Sequence, residues 1–306
     1  MERIVIAGGT GFMGKNLTEY FLSKNAEVVV LTRQIPSSAS KVKYVQWDGK
    51  TLENWTKEIE GSDVLINLTG KSVDCRYTDE NKRIILSSRV DSTRVLGKAV
   101  ENSAAPPKVW INASTATIYR HSEDKIMTEE NGEMGDDFSM NIAKAWEAAF
   151  YESETPRTRK VALRTSLVVG ANGGVYPVLR RLAKFRMAGA MGSGNQRFAW
   201  IHIEDVIRMV SHIIRNEELE GPINCTAPIC PTNREFLKAL RQSLGINFGI
   251  PQPKLLLSLG GMLIGTESEL VLKSRWVAPQ KMIESGFVFK YKTHEKALRE
   301  LAKNVR

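Results

Sequence analysis

Three glycines near the start of the chain have the spacing of a phosphate-binding turn. Gly8, Gly11 and Gly14 lie between an apolar run at residues 4–6 and a helical pattern that follows it. A strand that turns sharply into a helix leaves backbone N–H groups facing whatever lies over the helix N-terminus. Gly8 would make the tight turn, Gly11 would face a pyrophosphate, and Gly14 would let the helix pack on the strand. The spacing predicts a dinucleotide cradle, and a flexible turn with chance glycines is the alternative.

The residues after the second predicted strand, at 27–31, indicate which dinucleotide is bound. Sheets specific for NAD carry an acid about twenty residues past the glycines, and this acid binds the ribose 2′-hydroxyl. Here Thr32, Arg33 and Gln34 follow the strand, with no Asp or Glu among them. A guanidinium can bind a 2′-phosphate through two parallel hydrogen bonds and stack on adenine. We therefore expect NADP rather than NAD, unless Arg33 is one more surface arginine of a basic protein.

The composition is that of a globular protein without a membrane span. Of 306 residues, 42% are hydrophobic and 25% are charged, and the best apolar stretch, 255–264, has about half the length of a span. Met1 is followed by an acid and a core strand, so we expect no signal peptide and a cytoplasmic location. The three cysteines are too few and too scattered for a disulfide frame or a zinc site, and no metal is expected.

The net charge of +9 does not by itself indicate nucleic-acid binding. Lysines and arginines are spread among acids, and no aromatic platform is interleaved with them. One cluster with helical spacing, Arg180, Arg181, Lys184 and Arg186, would suit an anionic substrate, although a solvated helix face is the commoner explanation. Neither a nucleic acid nor a membrane is an expected partner.

The elements that must position these residues alternate between strands and helices. A long helical pattern opens at Thr78 or Asp79 and stops before Pro106, and another lies around residues 142–150. Such alternation produces a parallel sheet covered on both faces. The predicted fold is α/β, a Rossmann-type doubly wound parallel sheet. Its strands are predicted at 4–6, 27–31, 42–47, 63–68, 109–113 and from Lys160, with "PINCTAP" at Pro222 returning to the sheet.

Two stretches interrupt the alternation and predict a second, smaller lobe. Residues 170–197 are glycine-rich and basic, and the chain beyond Thr232 is mainly helical with breaks at three prolines. We expect a dinucleotide-binding domain at 1–169, to which 200–230 return. The remaining stretches, 170–199 and 231–306, would form a small, mainly helical substrate lobe. It would cap the carboxyl ends of the strands, where ligands bind in such sheets.

Several motifs beyond the glycine turn resemble one group of proteins. "INLTG" begins at Ile66, "NASTATIY" at Asn112 and "AWE" at Ala145, and "GSG" at Gly192 precedes "WIHIED". Together with Pro279-x-Lys281 they resemble the extended and atypical short-chain dehydrogenase/reductases. The likeness is greatest to NAD(P)-dependent epimerase/dehydratase-like proteins with a short C-terminal domain of unknown function, and it covers nearly the whole chain. The resemblance implies the family fold but leaves the substrate open.

The resemblance implies which residues would contact the cofactor. The third strand of this family ends in an acid near adenine, which matches Asp48, although a carboxylate beside Gly49 is also a routine turn former. The loop after the fourth strand flanks the adenosine and the nicotinamide ribose. The matching positions in the glycine turn and this loop are Gly8, Thr10, Gly11, Phe12, Met13, Gly14, Leu68, Thr69 and Gly70.

The resemblance also implies a catalytic hydroxyl after the fifth strand. Thr115 matches this position, with Ser114 beside it in the substrate site. Its role would be a hydrogen bond to a substrate carbonyl or hydroxyl. A hydroxyl that only satisfies a loop at the strand end is the alternative.

The family's Y-x-x-x-K pair is incomplete in this chain. The tyrosine normally acts as acid and base, and the lysine lowers its pKa and holds the ribose. The helix reads "FSMNIAKAWE", so one register keeps Lys144 but places Met140 at the tyrosine position. The other register places Ser139 and Ala143 at the two positions. Tyr119 could lean into the site instead, although packing is its commoner role.

The expected substrate residues also depart from the pattern. Nucleotide-sugar epimerases carry an arginine and an acid just before the "WIHIED" position, and Phe198 and Ala199 stand there instead. Arg197, one residue away, and Trp200 are the candidates for substrate contact. Residue 202 is expected to be a satisfied core histidine, and residue 205 to cap a helix starting at 206. A nucleotide-sugar substrate is therefore not favoured.

The function expected from these observations is an NADP(H)-binding oxidoreductase or epimerase-like protein acting on a small organic molecule. Thr115, Lys144 and Tyr119 are the catalytic candidates. Because the usual tyrosine is missing, a non-catalytic NADP(H)-dependent sensor or scaffold is the alternative, and the resemblance to this family implies a link to cell division for it. The sequence leaves open whether the protein forms a homodimer.

Overall fold

The computed structural model describes residues 2–37, 41–253 and 272–304, and its centre is a seven-stranded parallel sheet. The strand order is β10-β6-β5-β4-β1-β2-β3, so the direction of winding reverses between β1 and β4. Ala7 at the end of β1 pairs with Leu31 on one side and Asn67 on the other. The alternation predicted from the sequence is confirmed, including the return of 221–225. The strands are Arg3–Ala7 (β1), Glu27–Thr32 (β2), Lys43–Gln46 (β3), Val64–Asn67 (β4), Val109–Thr115 (β5), Arg159–Thr165 (β6) and Gly221–Cys225 (β10).

Both faces of the sheet are buried because alternate strand residues enter two separate cores. Ile4 and Ile6 of β1 join one apolar cluster, and Val5 and Ala7 join another. Helices α1 (Phe12–Ser23) and α5 (Ile203–Arg215) cover the first face, and α2 (Asp79–Glu101) and α3 (Phe138–Glu152) cover the second. Thr78 caps α2 as predicted, since its hydroxyl accepts the Asn81 amide at 3.2 Å.

A smaller sheet and, in the part of the chain that the structure describes, four further helices pack beside the central sheet. Strands Leu167–Gly170 (β7), Gly173–Gly174 (β8) and Trp200–His202 (β9) form the three-stranded sheet. Their helical neighbours share an apolar cluster that includes Tyr176, Trp200, Phe236 and Leu298. The mainly helical C-terminal region is thus present, while the domain boundaries stay a prediction. The helices are Tyr176–Lys184 (α4), Asn233–Ser243 (α6), Gln280–Glu284 (α7) and His294–Lys303 (α8).

The described residues contain neither a helix that could span a membrane nor a cluster that could hold a metal ion. None of these helices has the length and hydrophobicity needed to cross a membrane. In the same ranges, no three His, Cys, Asp or Glu side chains stand together in a way that could hold a metal ion.

Candidate functional site

The turn between β1 and α1 has the geometry that the glycine spacing predicts. Gly8 adopts a φ of +72°, which favours glycine, and its N–H donates to the Leu31 carbonyl at 3.0 Å. A Cβ on Gly14 would lie 2.4 Å from the Gly9 carbonyl oxygen. The first turn of α1 therefore packs directly on the backbone of the turn, and only a glycine fits at residue 14.

The N-terminus of α1 is open. Gly11 is the N-cap residue, no side chain caps the helix, and no acid lies in its first turn. A Cβ on Gly11 would have a single neighbour, the Gly8 carbonyl oxygen at 4.0 Å. The first amides of a helix lack intrahelical partners and carry a partial positive charge. This end of α1 can therefore accept an anionic group against the backbone.

The loop after β4 closes the opposite side of this cradle. A Cβ on Gly8 would lie 3.0 Å from the backbone of Thr69, so the two loops touch. The Thr69 amide donates to Asn67 Oδ1 at 3.0 Å. In contrast, Thr69 Oγ1 is buried and has no hydrogen-bond partner among the described residues. A buried orphaned hydroxyl normally has a partner in the complete molecule, so the cradle fits a bound polar ligand.

The far end of the cradle lies at the ends of β2 and β3. Thr32 is buried, and its hydroxyl donates to the Gln34 carbonyl at 3.0 Å. Arg33 is exposed, and no ion pair or hydrogen bond engages its guanidinium within residues 2–37, 41–253 and 272–304. It is therefore available to an anion at the position where the sequence predicts a 2′-phosphate.

Asp48, expected to contact adenine, is engaged in its own turn. Its carboxylate accepts the amides of Thr51 at 2.9 Å and Lys50 at 2.8 Å, together with the Thr51 hydroxyl. The Thr51 amide, with these further hydrogen bonds, lowers the pKa of Asp48. The contacts thus match the turn-forming alternative, and the contact with adenine stays a prediction.

Two further predicted cofactor residues use their side chains for packing. Phe12 lies against the glycine-rich turn of the small sheet, where a Cβ on Gly173 would come within 2.2 Å of its ring. Met13 packs on the apolar core beneath the sheet. Only their backbone amides, in the first turn of α1, remain for a ligand. Thr10 and Gly70 are exposed. Leu68 is half-buried, and its amide donates a hydrogen bond to the Ala7 carbonyl.

The hydroxyls at the end of β5 point in different directions. Thr115 is half-buried, and its Oγ1 accepts the Thr117 amide at 3.1 Å and donates to the Thr117 hydroxyl at 2.9 Å. Ser114 is buried, and its hydroxyl donates to Glu147 Oε1 at 2.6 Å. Thr115 therefore keeps access to a ligand at the carboxyl edge, whereas Ser114 is committed to the interior.

Tyr119 belongs to a buried charged network and does not face an open cleft. Its side chain is fully buried, its hydroxyl donates to Asn224 Oδ1 at 2.9 Å, and Arg164 donates to it at 2.8 Å. Arg164 is in turn paired with Glu147 through bonds of 2.9 and 2.7 Å. Burial raises the pKa of Tyr119. These contacts match the packing role that the sequence left open, because a buried tyrosine with a raised pKa is a poor base near neutrality.

The helix α3 offers a lysine but no tyrosine to the edge. Lys144 forms an ion pair with Asp136, whose side chain is 91% exposed. Ser139 and Met140, the two alternatives at the tyrosine position, are both buried in the first turn. Asp137 caps this turn by accepting the Met140 amide at 3.0 Å, and Lys273 contacts the same carboxylate.

Besides Ser114, two substrate residues were predicted, and one of them lies in the core. Trp200 is fully buried, and its indole N–H donates to the Ile229 carbonyl at 3.0 Å. It therefore presents no surface as a wall to a substrate, which corrects the expectation. Arg197 is half-buried with its guanidinium 4.0 Å from the centroid of the Trp276 ring.

The start of α5 also differs from the expectation. The helix begins at Ile203, and His202 is its N-cap, with Nδ1 accepting the Glu204 amide at 3.2 Å. Asp205 is fully buried in the first turn and accepts the amides of Lys290 and Tyr291, both at 2.8 Å. The prediction that Asp205 caps the helix was wrong, because a segment distant in sequence uses its carboxylate.

The structure also identifies a cation that sequence reasoning missed. Arg89 on α2 lies beside the loop after β4, since a Cβ on Gly70 would be 3.0 Å from the Arg89 Cζ. Nη1 donates to the Lys71 and Ile85 carbonyls, and the guanidinium lies 5.1 Å from the Trp146 ring centroid. Burial lowers the pKa of Arg89 to about 10. No described carboxylate pairs with it, and nothing in its local spacing distinguishes it from other helix arginines.

Comparison with protein families supports the interpretation of these elements. The model of the NAD dependent epimerase/dehydratase family matches residues 4–225. A domain of unknown function, DUF1731, matches residues 252–301. The first match contains all of the central sheet except the first residue of β1, and the second contains α7 and most of α8.

Individual proteins agree with the family matches. Epimerase family protein YfhF of Bacillus subtilis (strain 168) is 34% identical over 97% of this chain and 97% of its own length. The crystal structure of human epimerase family protein SDR39U1 with NADPH has a TM-score of 0.87 at 28% identity, with 99% of each chain covered. The nucleoside-diphosphate sugar epimerase from Corynebacterium glutamicum has a TM-score of 0.78 at 28% identity, covering 99% of this chain and 58% of that one.

Proposed function

Because this chain belongs to the NAD-dependent epimerase/dehydratase family, we propose that it binds NADP(H) and catalyses the oxidoreduction or epimerisation of a small organic molecule. The observation that carries the proposal is the open N-terminus of α1, where Gly11 leaves room for a phosphate against the helix amides. The similar human protein SDR39U1 was crystallised with NADPH, which supports the choice of cofactor.

Different residues of the cradle would bind different parts of the cofactor. The amides at the start of α1 would bind the pyrophosphate, and Arg33 the 2′-phosphate. The orphaned Thr69 hydroxyl would take a polar group of the dinucleotide. NADP(H), when bound, supplies or accepts a hydride at its nicotinamide ring. A cytoplasmic location remains part of the proposal.

Thr115 and Lys144 are the residues that we assign to the reacting end. Thr115 is half-buried at the carboxyl end of β5, and its hydroxyl would donate to a substrate oxygen in place of the Thr117 hydroxyl. Lys144 is paired with an exposed carboxylate, and such pairs contribute only about 0–1 kcal/mol. The ammonium can therefore leave Asp136 for a ribose hydroxyl at little energetic cost.

Arg89 indicates the chemical class of the substrate. One nitrogen, Nη1, carries its two described hydrogen bonds, so the Nε–Nη2 edge of the guanidinium is left to a ligand. This edge matches a carboxylate or phosphate with two parallel hydrogen bonds. The substrate that we propose therefore carries an anionic group, which Arg89 would bind beside Gly70.

Titration and a reductase screen test the proposal. The purified protein is titrated with NADPH by quenching of tryptophan fluorescence, and NADPH oxidation is followed with a panel of keto acids and aldehydes. Thr115→Ala should lower any turnover by roughly 10²–10³ while leaving NADPH affinity unchanged. Absence of NADPH binding by the unmodified protein would overturn the proposal. Activity that survives in Thr115→Ala would place the chemistry elsewhere in the site.

A non-catalytic NADP(H)-dependent sensor or scaffold is the second candidate. It is favoured by Tyr119, whose hydroxyl is held by Asn224 and Arg164, and by the lack of a tyrosine in α3 before residue 151. This candidate predicts NADPH binding with no turnover across the panel. It also predicts that bound NADPH changes the proteolysis pattern of the protein.

A further inference from the structure

One surface of the smaller lobe exposes large apolar side chains beside unpaired cations. Phe185, which follows α4, is 70% exposed, and Phe248 is 62% exposed. Four apolar and two basic side chains define what we call the basic apolar patch: Phe185, Met187, Phe248, Ile250, Arg181 and Lys184. Large exposed apolar groups that stand together mark an interaction surface rather than chance exposure.

Backbone contacts bring the two segments of the patch together. The Ile250 amide donates to the Arg186 carbonyl at 2.7 Å, and the Gly189 amide donates to the Ile250 carbonyl at 3.2 Å. A Cβ on Gly249 would lie 2.9 Å from the Ala188 carbonyl group. Residues 185–189 and 248–250 therefore run side by side, and each segment carries exposed apolar side chains.

Helix α4 presents its cations on the same exposed side. Tyr176, Leu179 and Ala183 form its buried stripe, so Arg181, Lys184 and Phe185 lie on the opposite side. Neither Arg181 nor Lys184 has an ion pair within the parts of the chain that the structure describes. The helix thus combines an apolar anchor to the core with an outward basic surface.

The patch is also free of acids in the sequence. No Asp or Glu occurs between Glu154 and Glu204, or between Glu235 and Glu267, and these two stretches contain both segments of the patch. The local charge is therefore positive without internal compensation, although the whole chain carries acids elsewhere. A partner that covers this surface must supply negative charge together with an apolar environment.

We propose that the basic apolar patch docks on an anionic lipid surface. Aromatic and aliphatic tips flanked by Lys and Arg are the chemistry of a surface-bound amphipathic element, which buries its apolar groups at the headgroup boundary. Each basic residue near an anionic leaflet contributes roughly five-fold in partitioning. From the sequence, no membrane partner was expected because the chain has no long apolar run. Docking on a lipid surface needs no such run, because it requires no segment to cross the bilayer.

Other occupants fit these observations less well. A second copy docked through the same patch would bring like charges together across a two-fold axis. A nucleic acid would match the cations and the two phenylalanine rings, but it would leave Met187 and Ile250 without an apolar environment. An anionic bilayer matches both parts of the patch at once.

Vesicle flotation with the full-length protein tests the proposal. Vesicles of phosphatidylcholine alone are compared with vesicles that contain about 30% phosphatidylglycerol. Phe185→Ser/Phe248→Ser removes the apolar part, and Arg181→Glu/Lys184→Glu reverses the charge. Val288→Ser and Lys57→Glu serve as controls, since both positions are exposed outside the patch. NADPH titration of each variant verifies that it is folded.

We expect binding to the phosphatidylglycerol vesicles only, with loss at high salt. Each double variant should weaken this binding by at least roughly ten-fold, while the two control variants bind as the unmodified protein does. No flotation with anionic vesicles, or equal flotation of the patch variants, overturns the proposal. Self-association that the same variants abolish, without vesicle binding, would assign the patch to a second copy instead.

Discussion

Helices α1 and α5 each begin at the carboxyl end of a strand, and their N-termini have opposite surroundings. At the start of α1, Gly11 leaves the first amides without a side-chain cap or a nearby acid. At the start of α5, His202 caps the helix and Asp205 fills its first turn with buried negative charge. We refer to these as the open junction and the closed junction.

The difference separates binding from stability. In the closed junction Asp205 joins α5 to residues 290 and 291, so the partial positive charge of the helix is satisfied within the chain. In the open junction the same helix charge is left for a ligand, and the buried Thr69 hydroxyl beside it has no hydrogen-bond partner among the described residues. Changes at the closed junction should therefore alter folding, and changes at the open junction should alter nucleotide affinity.

The largest effect is expected from breaking the closed junction. Asp205→Ala leaves two amides, those of Lys290 and Tyr291, without their acceptor. We expect the free energy of unfolding in urea to fall by roughly 3–5 kcal/mol. Glu204→Ala, which removes an exposed acid from the same turn, is the control and should cost less than about 1 kcal/mol. Equal stability of the two variants would show that Asp205 does not hold the junction.

His202 makes the closed junction sensitive to pH. Burial lowers the pKa of His202 to about 4, from 6.5 in the unfolded chain. Between pH 6.5 and about pH 4, His202 binds a proton in the unfolded chain but not in the folded protein. Stability is therefore complete above pH 6.5 and falls by roughly 3 kcal/mol toward pH 4. His202→Asn keeps a capping group but does not titrate. Urea denaturation of this variant should therefore show no such loss of stability between pH 6.5 and pH 4. An unchanged pH profile in the variant would contradict the assignment.

Converting the open junction into a closed one should abolish binding without loss of stability. Gly11→Asp supplies the missing cap, so the nucleotide-free protein should be as stable or more stable by a few tenths of a kcal/mol. The carboxylate would occupy the phosphate position, and NADPH affinity should fall at least roughly 100-fold in fluorescence titration. Gly11→Asn supplies a neutral cap of similar size, so its comparison with Gly11→Asp separates the effect of charge on NADPH affinity from the effect of bulk. Gly11→Val should keep the fold but lose nucleotide binding. Wild-type affinity in Gly11→Asp would disprove the open junction.

The smallest effect concerns the choice between dinucleotides. Arg33→Ala should weaken NADPH binding roughly 10- to 100-fold through loss of a charge-assisted contact, and leave NADH binding nearly unchanged. Added salt should weaken NADPH more than NADH in the unmodified protein. Arg83→Ala, an exposed arginine on α2, is the matched control. If the unmodified protein binds both dinucleotides equally, Arg33 is not a 2′-phosphate ligand.

The central sheet and the glycine turn were predictable because both depend on short-range patterns. The apolar strands, the helix that opens after Thr78 and the turn at Gly8 each follow from residues within a few positions of one another. Gly14 is an example, since its contact with the Gly9 carbonyl lies within a single turn of chain. The sequence by itself determined which segments form the strands of the sheet, their parallel direction, and the place where the glycine turn lies.

The partners and the burial of individual side chains depend on contacts that only the tertiary structure creates. Asp205 accepts the amides of residues 290 and 291, and Tyr119 donates to Asn224 of β10. Trp200 packs in the core beside α6. Arg89 reaches the edge of the site only because the loop after β4 folds over it. A local pattern tells which side of an element is buried, but it does not say which distant segment covers that side. Whether a polar group there is left for a ligand or satisfied within the chain is settled by that segment.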